Sequence, residues 1–227
     1  MKWYYFLINL FSILGPLALS FDKRVAFFKK IRLILWSFSV PSFIYIIWDV
    51  AFTKLGIWEF NPIYVSGFYM FSLPWEEYFF FLAIPYACLF IYACLRHYAP
   101  ALKNNKVAKT ISTLLAVVAL LIVFQNFDRL YTAVTFGLLS FTLFNFILNN
   151  TEYLSHALTA WLVAIIPMLV VNGLLTGLPV LIYDNSQNLG IRIGTIPLED
   201  FFYNLVYMLW MIGLYERKLK RQTSELT

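Results

Sequence analysis

Seven apolar stretches follow one another along the chain, each closed by a short polar or basic connection. They cover Trp3–Ser20, Ile31–Val50, Trp75–Leu95, Val107–Gln125, Leu130–Leu148, Leu154–Thr176 and Asp200–Tyr215. A membrane-spanning helix takes about 20 predominantly apolar residues. The pattern therefore predicts an all-α integral membrane protein with seven transmembrane helices. The first stretch has the outline of a signal peptide, with Lys2, an apolar core and Leu17-Ala18-Leu19-Ser20. The stronger basic cluster comes after it, which favours a retained span.

Composition narrows the class further. Of 227 residues, 61% are hydrophobic and 13% charged, where a soluble chain carries about 25% charged residues. So little charge cannot cover a soluble surface, and disordered, secreted and nucleic-acid-binding classes are excluded with it. Thirteen of the 17 Lys and Arg residues lie in three connections: Lys23 to Arg32, Arg96 to Lys109, and Arg217 to Arg221. In a seven-span chain these share one side, which the positive-inside rule makes cytoplasmic. The amino terminus is then outside and the carboxyl terminus inside, in a multi-pass protein of the plasma membrane.

The carboxylates distribute the opposite way. Asp49, Glu59, Glu76, Glu77, Asp128, Asp184, Glu199 and Asp200, eight of the twelve, map to the outer helix ends and loops. The positive-inside rule concerns Lys and Arg and does not require this. Ionisable groups set against apolar sequence in a membrane protein point instead to a functional site.

The outer motifs also occur twice. Trp48-Asp49, Gly56-Ile57 and LPWEEYFF (Leu73–Phe80) have counterparts in Tyr183-Asp184, Gly190-Ile191 and IPLEDFFY (Ile196–Tyr203). Helices 1–3 then correspond to helices 5–7 as a parallel internal repeat about an axis along the membrane normal. Residues 1–105 form the first half, 106–129 a connector holding helix 4, and 130–227 the second half with a basic cytoplasmic tail. In this alignment the long outer loop Phe52–Ser72 has no counterpart and could cap a central cleft.

Pro74 and Pro197 suit the first turn of a helix, and the acids after them would also favour the positive end of the helix dipole. Capping accounts for one such motif; two copies at one depth with Asp49, Asp128 and Asp184 suggest a site. Adjacent acids lie about 100° apart on a helix, so one of each pair can face the interior. Crowding and desolvation keep a proton on such a cluster, while the dipole opposes them. If crowding prevails, a general acid stands beside a general base. In the turn between helices 4 and 5, Asn126 and Asp128 could extend the cluster with Arg129 as counter-charge. A plain turn with a local Asp–Arg pair is the alternative.

Other chemistry is poorly represented. Cys88 and Cys94 point to different faces of one helix, so neither a disulfide nor a joint metal site is expected. Two histidines cannot build a multi-histidine centre, and neither dinucleotide nor P-loop glycine signatures occur. No cofactor-binding and no metal-binding residues are therefore evident. Proton transfer to an apolar substrate is the chemistry left, and 23 Phe, 15 Tyr and 7 Trp supply aromatic faces that can stabilise a cation.

On Pro74-Trp75-Glu76-Glu77 and Pro197-Leu198-Glu199-Asp200, together with Asn126-x-Asp128, the sequence resembles the membrane-embedded lycopene cyclase domain family. That family includes heterodimeric actinobacterial cyclases, fused single-chain forms, and the cyclase half of fungal cyclase–phytoene synthases. The length resembles the fused form. The resemblance implies non-redox cyclisation of lycopene ends to β-ionone rings, giving β-carotene via γ-carotene. A carboxyl protonates the terminal alkene, the carbocation closes a ring, and a base removes a proton. It places acid/base roles on Glu76, Glu77, Glu199 and Asp200, with Asp128, Asn126, Asp49, Asp184 and Arg129 as a supporting polar cluster. The expected partners are lycopene or a related acyclic carotenoid, membrane lipid and other carotenoid-pathway enzymes, without nucleic acid.

A carotenoid hydratase is the nearest alternative, because it makes the same cation and quenches it with water. A proton-coupled transporter is another, although no chain of acids crosses the bilayer. A retinal protein is excluded, since no span contains an internal lysine for a Schiff base.

Overall fold

The computed structural model describes residues 1–149 and 151–224; Asn150 and residues 225–227, within the expected second half, lie outside the described residues. Seven α-helices dominate these residues: α1 (Tyr4–Leu19), α2 (Ile31–Lys54), α3 (Trp75–Tyr98), α4 (Asn105–Gln125), α5 (Leu130–Asn149), α6 (Thr151–Gly177) and α7 (Leu198–Ser224). Five of them, α2 to α6, are long and apolar enough to cross a membrane. The shorter α1 has 16 residues.

The seventh helix differs from expectation. It opens two residues before Asp200 and continues nine past Tyr215, so Arg217–Arg221 are helical. Basic side chains favour the negative end of a helix, and this turn is anchored to the bundle. Buried Glu216 accepts the Tyr92 hydroxyl at 2.8 Å and pairs with Arg96, while Lys220 pairs with Glu152.

The helices pack as two similar groups. Helix α1 lies along α3 and α5 along α7, while α2 meets α7 and α6 meets α3. Helix α4 lies against α5 and α6. It turns Ala108, Ser112, Ala116 and Ala119 inward and leaves Leu114, Val117, Leu121 and Phe124 exposed. Small residues on one stripe let helix backbones approach closely in a membrane.

The all-helical expectation needs one amendment, at the end of the bundle where α3 and α7 begin. Strand β1 (Trp58–Phe60) pairs antiparallel with β4 (Leu181–Tyr183), Glu59 opposite Ile182. Two hairpins flank this pair, β2 (Tyr69–Met70) with β3 (Leu73–Pro74), and β5 (Arg192–Ile193) with β6 (Ile196–Pro197). Pro74 and Pro197 thus close a hairpin immediately before the helix. The first hairpin turns on Phe71 and Ser72, both left-handed, and the second on left-handed Gly194.

Local geometry in this region recurs at a constant spacing of 123 residues. The Trp75 amide donates to the Phe68 carbonyl as Leu198 does to Ile191, and Ile57 to Phe52 as Val180 to Leu175. Gly67 and Gly190 are both left-handed. This register corrects the sequence alignment of the loops. Tyr183-Asp184 corresponds to Phe60-Asn61 rather than to Trp48-Asp49, and Gly190 to Gly67 rather than to Gly56. The loop Phe52–Ser72 consequently has a counterpart of equal length in residues 175–195. Within the loops the backbone hydrogen bonds recur more faithfully than the side chains, which a match of single residues does not register.

Candidate active site

Each Pro-x-Glu-acid motif enters its helix at the hairpin end, and the 100° step between neighbours splits each pair of carboxylates. The first acid of each pair turns back to the hairpin loop. Glu76, fully buried, accepts the Ser66 amide at 2.7 Å. Glu199, also fully buried, accepts the Leu189 amide at 2.7 Å and the Thr132 hydroxyl at 2.6 Å. These two hold loops against helix starts. Neither lines the central cavity.

The second acid of each pair does line it. Glu77 and Asp200 share one cavity with Asp49, Tyr5, Tyr131 and Tyr183. The Tyr5 hydroxyl donates to Glu77. Asp49, on the last turns of α2, accepts the Trp58 indole N–H at 2.6 Å. Asp200 accepts three donors: Tyr131 at 2.6 Å, Tyr183 at 2.9 Å and Asn172 at 3.2 Å. All three cavity carboxylates are buried. The β1–β4 pair lies over them and supplies both Trp58 and Tyr183. Burial, and next the Asp200 charge, push the Tyr183 phenol well above its ordinary range, so it stays a hydrogen-bond donor.

Below this polar end the walls from α3 and α6 are apolar, while Ser12 of α1 and Asn204 of α7 also line the cavity. On α3 the wall consists of Phe80, Phe81, Ile84, Ala87, Cys88 and Ile91, and on α6 of Ala164, Pro167, Met168, Val171 and Leu175. From Glu77 to Ile91 one face of α3 descends roughly 21 Å at 1.5 Å per residue. The facing groove between α2 and α7 is filled. There Tyr45 packs 4.5 Å, centroid to centroid, from both Tyr203 and Tyr207, and Trp48 lies 4.9 Å from Tyr203. Aromatic side chains therefore border the carboxylates on one side, and apolar residues of α3 and α6 line the cavity on the other.

The remaining sequence candidates stand apart from the cavity. Asn126 donates to the Ile122 carbonyl at 3.0 Å and closes α4. Asp128 is exposed. Arg129 does not pair with it but donates to the Asn188 carbonyl at 2.7 Å, so the expected local counter-charge serves the loop instead. Asp184 is exposed and bound by the Ser186 amide and hydroxyl, which hold its carboxyl below the usual range. Its likeness to Asp49 was one of sequence only; the residue placed like Asp49 is Asn172. Tyr5, Tyr131 and Asn172 carry no sequence signal, because tyrosine is abundant in this chain and no spacing marks them, and Tyr183 stands out only as the neighbour of Asp184. Among the described residues, no three His, Cys, Asp or Glu side chains are grouped to hold a metal ion.

A family model described as lycopene cyclase matches residues 2–95 and 128–217. No curated protein and no solved structure matches the chain.

Proposed function

Because the chain belongs to the lycopene cyclase family, we propose that it closes β-ionone rings on the ends of lycopene, giving β-carotene via γ-carotene. The observation that carries this reading is the single cavity with Glu77 and Asp200 at its polar end and apolar α3 and α6 side chains below. An acyclic carotenoid end matches both parts. Its polyene lies along the apolar side chains and its terminal isoprene unit meets the carboxylates. One carboxyl protonates the terminal alkene, and the tertiary cation is attacked by the alkene that becomes part of the ring. The other carboxylate then takes a ring proton. Phe81, Tyr203 and Tyr207 line the cavity, and aromatic rings attract positive charge over their faces. The net change is an isomerisation, which calls for no redox cofactor.

In this reading the chain is a fused single-chain cyclase. Its halves, 1–105 and 130–227, form a parallel repeat joined by a connector at 106–129. The 123-residue recurrence and the two matched family segments support the repeat. The hairpin end lies outside and the basic end in the cytoplasm, with the protein in the plasma membrane. Reporter fusions at the carboxyl terminus should read cytoplasmic, and a reporter active outside would overturn the orientation.

The apolar wall provides a second test. Ala87 faces the cavity on α3, and Ala87→Phe places a ring in the path of the polyene. Carotenoid extracts from a lycopene-accumulating host should then show cyclic product reduced at least about tenfold, the effect of 1.4 kcal/mol on a barrier. Unchanged product would exclude the α3 and α6 walls as the seat of the substrate.

A further inference from the structure

We infer that the two halves divide the reaction, the Asp49–Glu77 pair delivering the proton to the terminal alkene and Asp200 removing the proton from the closed ring. The inference rests on the cyclase reading of the same cavity.

Positions 123 residues apart correspond across the two halves. Glu77 corresponds to Asp200, and both sit in the first turn of a helix. The helix dipole acts alike on both, so the difference must come from their neighbours. Asp49 stands beside Glu77, and the corresponding residue beside Asp200 is Asn172.

That exchange of carboxyl for amide changes the hydrogen bonding. Asp49 Oδ1 accepts the Trp58 indole, whereas Asp49 Oδ2 meets no donor among its neighbours' fixed N–H and O–H groups. Its side chain and that of Glu77 are both buried and line the same cavity. A buried carboxylate oxygen without a donor is costly when ionised, whereas a protonated carboxyl can itself donate. Two like charges confined in a buried site also oppose joint ionisation. The pair is therefore built to hold one transferable proton, and the Tyr5 phenol keeps Glu77 oriented.

Asp200 has the opposite equipment. The amide of Asn172 donates to it rather than competing for a proton, and the Tyr131 and Tyr183 phenols add two further donors. Three neutral donors on one carboxylate favour its ionised form. The site faces the cavity ready to accept a proton.

The steps balance. The pair's proton forms a C–H bond at the terminal alkene and leaves a tertiary cation. The second alkene supplies two electrons for the ring C–C bond, moving the charge into the ring. Asp200 takes an adjacent ring proton, and the electrons of that C–H bond become the ring alkene. One proton enters and one leaves. The pair is recharged from Asp200 or from water.

Asp49→Asn and Asp200→Asn, in membranes carrying lycopene in heavy water, separate the two roles. Asp49→Asn should lower cyclic product about 10²-fold or more and leave the recovered lycopene without deuterium. Asp200→Asn still forms the cation, so lycopene should return labelled, or leave as water-trapped or isomeric rings. Labelled lycopene from Asp49→Asn together with unlabelled lycopene from Asp200→Asn reverses the assignment. Wild-type cyclisation by either variant also overturns it. Thermal unfolding in detergent checks that each variant folds. Should either not fold, Tyr183→Phe, which removes one donor from Asp200, replaces it. This variant should raise the label in recovered lycopene relative to ring product, and an unchanged ratio counts against the division. Wild-type protein that forms no cyclic product overturns the cyclase reading itself, a failure visible before any variant is compared.

Discussion

Glu77→Gln is expected to leave a folded protein whose output of cyclic carotenoid falls by about 10²–10⁴, the usual cost of removing a general acid or base. The amide fills the same volume and still accepts the Tyr5 hydroxyl, but it carries no transferable proton. Glu76→Gln is the matched control, one residue away in the same helix turn. Glu76 serves the Ser66 amide with one oxygen, and the glutamine carbonyl can do the same. Cyclisation in this control should stay within a few-fold of wild type. Carotenoid profiles of the two variants in a lycopene-accumulating host decide between catalytic acid and helix cap. Equal activity in both would make the whole motif structural.

A different loss is expected at Glu199, in stability. Glu199→Leu removes the acceptor for the Leu189 amide and the Thr132 hydroxyl, both in a buried setting. Each donor left without a partner costs about 1–3 kcal/mol, a large share of the roughly 5–15 kcal/mol that holds a typical protein together. The variant should accumulate poorly, and its unfolding temperature in detergent should drop well below wild type. Glu199→Gln keeps an acceptor at the same place and should unfold near wild type. If leucine is tolerated as well as glutamine, the loop-anchoring role of Glu199 is wrong.

Much of this arrangement could be read from residue pattern. Runs of about 20 apolar residues fix helices in a membrane chain with little ambiguity, because the bilayer demands length and apolarity together. The paired acids could be found because carboxylates beside apolar sequence are costly and therefore conspicuous. Their division of roles within each motif was not legible. A 100° step says that Glu76 and Glu77 face differently, but only packing decides which one meets the cavity and which the hairpin. The strands were hidden for a related reason. Each has two or three residues, and the first hairpin turns on Phe71 and Ser72 where glycine or asparagine would have signalled the bend. Asp184 shows the converse error. A tyrosine–aspartate pair looked like Trp48-Asp49, yet one acid caps an exposed turn and the other is buried beside Glu77.

The central claim is that Glu77 and Asp200 share one cavity in which a carotenoid end is protonated, closed and deprotonated. The most direct test is the carotenoid made by a lycopene-accumulating host expressing the wild-type chain. The expected result is conversion of lycopene to carotenes of equal mass that carry β-ionone rings, first at one end and then at both. Lycopene recovered unchanged beside well-folded protein, or a product heavier by one molecule of water without a ring, would contradict it.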